Sequence, residues 1–292
     1  MIIGALGQLG YDCTRVLGQK NEIIPIDLGQ VDITDLKALE GVISSISPDI
    51  VLNCAAYTKV DASETDRERA WKVNAEGPGN IALCISRYGG KLVHVSTDYV
   101  FDGRKLPPDS YAEDDETNPL SYYGKTKLEG EVIIRKTTDR HIIVRTAWLY
   151  GINGQNFLKT MLRLSLSSPG KEIRVVNDQY GSPTWSYRLA QQVDNLIGKN
   201  CQGTYHATSE GYCTWYELAR YFLERVGIEY NIVPCSTEEY PTPATRPGNS
   251  ILENKRLKEE GINLMPCWQN EVDEFVKNFK IPLIEECYAS MQ

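Results

Sequence analysis

A tyrosine and a lysine stand four residues apart in Tyr123-Gly124-Lys125-Thr126-Lys127. On a helix that spacing projects both side chains from one face, so they can act together on one substrate atom. A free phenol titrates near ~10, and an ammonium close by stabilises the phenolate and lowers that value. Such a pair can serve as a general acid/base unit; the plainer reading is an exposed helical tyrosine beside an unrelated lysine. Ser96 and Thr97 follow the apolar run Lys91-Leu92-Val93-His94-Val95. If that run is a strand ending beside Tyr123, a hydroxyl there would donate to a substrate oxygen and help tune the phenol. Otherwise these hydroxyls satisfy turn amides.

The elements that must position these groups are legible in order. Met1-Ile2-Ile3 runs into Gly4-Ala5-Leu6-Gly7-Gln8-Leu9-Gly10 and then a helical stretch to about Leu17. Glycines at 4, 7 and 10 would let the backbone turn tightly and approach a pyrophosphate, whose charge meets amide N–H groups at the helix start, near Gln8 and Leu9. The first strand is short, with about three residues before Gly4. Asp27 ends the run Glu22 to Asp27, 17 residues beyond Gly10, near the position where a carboxylate accepts from adenosine ribose hydroxyls. It would repel a 2'-phosphate, which favours NADH over NADPH; a strand-end aspartate is also a common turn or cap residue. Asp32 and Ile33 could flank an adenine ring, with a capping role as the alternative, and Thr34 or Asp35 is placed to cap a helix to about Ile46. A strand from Asp49 to Cys54 delivers Ala55-Ala56-Tyr57-Thr58, whose small residues would let a nucleotide lie against the backbone. A helical segment from about Ser63 to Tyr88 carries Asn74 and is interrupted at Gly77-Pro78-Gly79.

A polar loop from Asp102 to Pro119 precedes the Tyr123 helix, and an apolar strand follows from His141 to Arg145. Five alternations of strand and helix predict an α/β fold with a Rossmann-like, doubly wound parallel sheet. Past residue 150 the rhythm changes. Helix 186–197 and a strand from Gly203 to Ala207 read as a return to the sheet, while helices over about 155–166, Thr214–Val226 and Gln269–Phe279 predict a smaller α/β cap over the strand ends. Residues 1–150 with about 180–210 are assigned to the dinucleotide-binding domain, and about 151–179 with 211–292 to a substrate domain.

The formal net charge of -8 argues against a nucleic-acid binder. No apolar run reaches the ~18 residues of a membrane span, and the N-terminus lacks a signal-peptide pattern, so the expectation is a cytoplasmic protein without a membrane partner. Eight widely spaced cysteines without C-x-x-C, and three histidines without ligand spacing, predict no metal site.

Taken together, Gly4-x-x-Gly7-x-x-Gly10, Thr97 and Tyr123-x-x-x-Lys127 resemble the extended short-chain dehydrogenase/reductase superfamily. Within it, Asn53-Cys54-Ala55-Ala56-Tyr57-Thr58, Ser96-Thr97-Asp98-Tyr99-Val100-Phe101, Arg145-Thr146-Ala147-Trp148, Asn177-Asp178-Gln179-Tyr180-Gly181 and Arg246-Pro247 look like the dTDP-4-dehydrorhamnose reductase family. The resemblance implies an NAD(P)H-dependent oxidoreductase that reduces the C4 keto group of a dTDP-linked 4-keto-6-deoxy sugar, in dTDP-rhamnose and polysaccharide biosynthesis. It implies that Tyr123 protonates the developing alkoxide, that Lys127 lowers the phenol's pKa and binds the nicotinamide ribose, and that Thr97 bonds the sugar near O4. Sugar contacts are implied for Asp98, Tyr99 and Trp148, and a diphosphate contact for Arg246. A homodimer is left open. Two alternatives remain: another nucleotide-sugar epimerase or dehydratase, disfavoured by Asp98-Tyr99 where a dehydratase has Asp-Glu, and a regulatory subunit resembling methionine adenosyltransferase subunit beta.

Overall fold

In the computed structural model, which describes residues 1–290, the chain forms a parallel sheet sandwiched between helices and topped by a second apolar cluster. Met291 and Gln292, the end of the expected substrate domain, lie outside the described residues. The sheet side begins with β1 (Ile2–Ile3), α1 (Gln8–Leu17), β2 (Pro25–Ile26), α2 (Leu36–Ile46) and β3 (Ile50–Asn53). It continues through α3 (Arg67–Trp71), α4 (Gly77–Tyr88), β4 (Lys91–Thr97), α5 (Tyr122–Thr137) and β5 (His141–Thr146). Then come β6 (Leu149–Tyr150), α6 (Phe157–Ser167), β7 (Ile173–Val176), β8 (Tyr180–Gly181), β9 (Thr184–Trp185), α7 (Ser186–Gly198) and β10 (Gly203–His206). The chain ends in β11 (Cys213–Thr214), α8 (Trp215–Val226), β12 (Ile232–Cys235), α9 (Lys255–Glu259) and α10 (Trp268–Ala289).

Six strands make the main sheet in the order β10-β5-β4-β3-β1-β2, every pairing parallel. The expected doubly wound sheet is therefore present. Strand order reverses at β1, so the crevice beyond the carboxyl ends of β1 and β3 is the natural ligand position. β1 is short, as expected, and is tied in on both sides: Ile2 and Ile3 pair with Pro25 and Ile26 and with Leu52 and Asn53.

Both faces of the sheet are covered, which explains why its strands read as apolar runs. Ile3, Val51, Leu92 and Ile143 pack with Leu39 and Ile43 of α2, Ile81 and Ile85 of α4 and Ile134 of α5. On the other face Ile2, Leu52, Val93 and Val144 meet Cys13 of α1, Leu189 and Val193 of α7 and Leu257 of α9. Each such fully buried aliphatic side chain contributes about 1.5–3 kcal/mol. A separate cluster joins Leu158, Leu162, Leu218, Phe222, Val272 and Phe275 from α6, α8 and α10, with Tyr150 and Trp185.

Local signals fix the helix starts. Asp35 caps α2 by accepting from Ala38 N at 3.0 Å, Ser121 caps α5 by accepting from Gly124 N at 3.1 Å, and Thr214 with Glu217 forms a capping box on α8. Two expectations shift. The segment from 63 to 88 is not one helix: Lys72–Glu76 is a π turn between α3 and α4. The last helix runs on to Ala289 through Pro282, because Leu283 and Cys287 extend the buried face begun by Val272 and Val276. No helix among the described residues is long and apolar enough to cross a membrane.

Candidate active site

A cleft of about 1030 Å³ opens at the carboxyl ends of β1, β3 and β4. One wall is the glycine turn. Gly4 has φ +75°, and a Cβ there would lie 2.7 Å from Ala55 N; at Gly10 it would lie 2.0 Å from Gly4 O. Only glycine allows this close approach. Gly7, the N-cap of α1, offers no side-chain acceptor, and the first turn holds no acid. The free amides at this helix end are thus suited to an anion such as a pyrophosphate. Gly4, Gly7, Gln8 and Leu9 line the cleft, while Gly10 supports the turn from behind.

Asp27 faces the same cleft at the end of β2. Its carboxylate accepts from Leu6 N at 2.9 Å and Leu28 N at 2.8 Å, clamping the glycine turn to the second strand. Asp32 and Ile33 line the cleft farther along; Asp32 Oδ1 accepts from Thr34 N at 2.8 Å, and Ile33 is buried in the sheet core. Ala55, Ala56, Tyr57 and Thr58 form the floor. The floor is pinned by Asn74 on the π turn. Its Oδ1 accepts from Tyr57 N at 2.8 Å, and its Nδ2 donates to Tyr57 O and Thr126 Oγ1, both at 3.1 Å. A π turn re-aims a side chain relative to the α-helix around it, and here it ties cleft floor to α5.

The candidate catalytic groups converge. Tyr123 and Lys127 on α5 and Thr97 at the end of β4 all line the cleft. The Thr97 hydroxyl donates to Asp98 Oδ1 at 2.9 Å and accepts from Tyr99 N at 3.2 Å. The edge of the Tyr99 ring meets the Tyr123 ring at 5.6 Å between centroids. Burial pushes the Tyr123 phenol up to about 12, with Asp98 adding and a bond from Thr97 opposing. Burial also lowers Lys127 to about 8, against the pull of Glu131 and Cys54. The expected depression of the phenol by Lys127 is therefore not what the geometry gives. The lysine Nζ donates to Val95 O at 2.6 Å, and desolvation of the phenolate dominates. Asp98 is pushed up to about 6 by burial, and its Oδ2 has no hydrogen-bond partner among the described residues.

One turn beyond Lys127, Glu131 locks α5 to the sheet. Arg145 grips it with Nε to Oε1 at 2.9 Å and Nη2 to Oε2 at 2.7 Å, and Ser96 Oγ donates at 2.6 Å. Trp148 lies in the cleft wall with φ +47°, an unusual value for a bulky residue. Its ring stacks on Trp215 at 3.5 Å and 8°, and Gly181 leaves room for it: a Cβ there would lie 2.4 Å from the indole.

Arg246 is the exception among the expected catalytic and substrate-contacting residues, for it does not line the cleft. Its Nη1 and Nη2 donate to the two oxygens of Asp61 at 3.0 and 2.9 Å, and Nη1 also meets Thr242 Oγ1. Asp61 and Trp215 were not singled out from the sequence. Asp61 carries no motif. Trp215 stands beside a legible signal, the first helical position after the Thr214 cap.

A pyrophosphate-fitting glycine turn at a topological switch point, with a buried Tyr, Lys and Thr at its mouth, defines an oxidoreductase of the extended short-chain dehydrogenase/reductase type. The profile of the RmlD substrate binding domain matches residues 1–281, and the chain belongs to that family. Among solved structures it is similar to a dTDP-4-dehydrorhamnose reductase from Clostridium acetobutylicum (41% identity, 96% of this chain and 99% of that one, TM-score 0.93). It is also similar to the dTDP-4-dehydrorhamnose reductase of Bacillus anthracis in complex with NADP (39%, 95% and 98%, TM-score 0.91). A curated relative is the spore coat polysaccharide biosynthesis protein SpsK of Bacillus subtilis (39%, 95% and 96%).

Proposed function

We propose that the chain reduces the C4 keto group of dTDP-4-dehydro-L-rhamnose to give dTDP-L-rhamnose, using NADH or NADPH, with Tyr123 as proton donor. The observation that carries this reading is the convergence of Tyr123, Lys127 and Thr97 in the cleft that ends at the glycine turn. The two similar solved structures are dTDP-4-dehydrorhamnose reductases, which supports it. In this reading residues 1–150 with about 180–210 hold the dinucleotide, and about 151–179 with 211–292 hold the sugar nucleotide.

The cleft fits a nicotinamide dinucleotide on its own evidence: the side-chain-free amides of α1 would take the pyrophosphate, and Asp27 and Ile33 would border the adenosine half. Bound there, the group supplies hydride to C4 of the sugar. As the C=O electron pair moves onto oxygen, Tyr123 gives its phenolic proton to O4. A phenol held near 12 keeps that proton at neutral pH, and an alkoxide is more basic still, so the transfer runs downhill. Thr97 would hold the carbonyl oxygen, with its hydroxyl turning from Asp98 to the substrate. Lys127 carries positive charge beneath the tyrosine and would meet the ribose. Trp148, braced by Trp215, offers a flat apolar face to the sugar ring. Asp98 and Tyr99 would complete the sugar site. Arg246 would take the diphosphate after leaving Asp61, since a guanidinium fork matches phosphate oxygens as well as a carboxylate.

Coenzyme oxidation with dTDP-4-dehydro-L-rhamnose, and the configuration of the product at C4, test the proposal. Rapid turnover to dTDP-L-rhamnose is expected. Oxidation with no C4 alcohol formed, or none with either coenzyme, would refute it.

A further inference from the structure

Beneath the cleft, two buried polar side chains take no part in the reaction just described. Asn53 ends β3 and His94 lies on β4, directly paired across the strands, and both are essentially inaccessible to solvent, as is Lys127 above them. Asn53 Oδ1 accepts from Ala55 N at 3.1 Å, which fixes the orientation of the amide. The Asn53 NH₂ group therefore faces His94 Nδ1, 3.1 Å away, and that nitrogen must accept. Burial lowers the His94 pKa well below its ordinary value, and Lys127 lowers it further. The ring is thus neutral, and its one hydrogen is on Nε2. Nε2 lies 3.4 Å from Lys127 Nζ.

We propose that His94, held by Asn53 in its Nε2–H tautomer, is a positioning residue for Lys127: it turns an N–H rather than a lone pair toward the amine. This inference rests on the reading that Lys127 serves the reduction. A neutral histidine in the other tautomer would accept from the ammonium and bind it to the sheet. With Nε2 protonated, the acceptor left to the lysine on that side, among the described residues, is Val95 O, at 2.6 Å. Its other N–H groups are left for the cleft, where the phenol and a ribose would lie. The same contact makes the ammonium easier to deprotonate, because a partial positive charge faces it. The remaining groups around the lysine act oppositely or weakly: Glu131 on α5 and Cys54 after β3 favour the charged form, while Arg145 already pairs with Glu131. Tyr123, one turn earlier on α5, keeps its proton and adds no charge.

Histidine-selective ¹⁵N NMR of the whole protein reads the tautomer directly, with three histidines to assign. The expected result is a protonated Nε2 and an unprotonated Nδ1 at His94, unchanged as pH falls to about 5, well below the ordinary value. A protonated Nδ1 would overturn the proposal. In a second arm, His94→Phe removes the N–H while filling the space. The alkaline limb of kcat/KM, set by loss of the Lys127 proton, should then move up by about one pH unit, a tenfold change in proton affinity. An unmoved limb in the folded variant would also overturn it, and should that variant fail to fold, the NMR result decides alone. If the wild-type protein shows no reduction at all, the proposed function fails, whichever tautomer is found.

Discussion

Several candidate site residues are anchored by neighbouring groups while they face the cleft. Asp27 is the clearest case, because its carboxylate holds the amides of Leu6 and Leu28 while facing the cleft. Asp27→Ala should therefore do two things: raise the use of NADPH relative to NADH, by removing a charge that repels a 2'-phosphate, and weaken both coenzymes by loosening the turn. Steady-state kinetics with each coenzyme check this, and an unchanged ratio would remove Asp27 from ribose recognition. At this scale the sequence was most informative where residue type alone limits chemistry. Tyr123, Lys127 and Thr97 could be named from type and spacing, and the structure brings them into one cleft. What spacing could not convey was their environment. The phenol is raised rather than lowered because its burial depends on Tyr99 and the cleft walls, and the lysine is directed by Val95 O and His94, which lie far from it in sequence.

Among the elements, α5 and α10 show how buried carboxylates act in opposite ways. Glu131 on α5 is met by Arg145, Arg135 and Ser96, and these partners hold it below the ordinary carboxylate range despite burial. Glu271 on α10 has weaker support: Trp185 N donates at 3.1 Å and Ser209 Oγ also donates, while Oε1 has no partner among the described residues. Burial pushes it up to about 7. Its folded pKa lies above its unfolded value of 4.5, so its contribution to stability is complete below 4.5 and is lost as pH rises through about 7. Glu271→Gln, which cannot ionise, should lessen the fall in Tm expected of the wild type between about pH 4.5 and 7, where the unfolded carboxyl is ionised and the folded one still holds its proton. An equal fall in both proteins, measured by calorimetry, would mean that Glu271 does not titrate in that window. Element existence was legible, since strands buried on both faces read as apolar runs and helix caps as Asp35, Ser121 and Thr214. Element irregularity was not. The π turn at Lys72–Glu76 answers to the contact between Asn74 and Tyr57, and the extension of α10 past Pro282 answers to apolar packing by Leu283 and Cys287.

Across the whole molecule, the sheet and the helical cluster meet over the cleft, and the pair of Asp61 with Arg246 spans them at one rim. Asp61 is about 40% exposed in its side chain, so it can exchange its partner for water at little cost. Arg246→Ala should weaken binding of dTDP by about tenfold, as loss of a charge-assisted fork would, and leave coenzyme affinity close to the wild-type value; titration calorimetry with each ligand decides. Equal loss for both ligands would point to a collapsed rim rather than a diphosphate contact. The doubly wound sheet was foreseeable from the alternation of strand and helix. The Asp61–Arg246 contact was not, because 185 residues separate the pair and Asp61 sits in no recognisable pattern.

Reduction as proposed needs Tyr123 as the acid that completes it, and Tyr123→Phe removes that proton alone. The ring remains, so the fold and the binding of NADPH should stay close to wild type, while turnover with dTDP-4-dehydro-L-rhamnose falls by about a hundredfold or more. Turnover within about twofold of the wild type, far less than loss of a general acid costs, would mean that Tyr123 is not the proton donor.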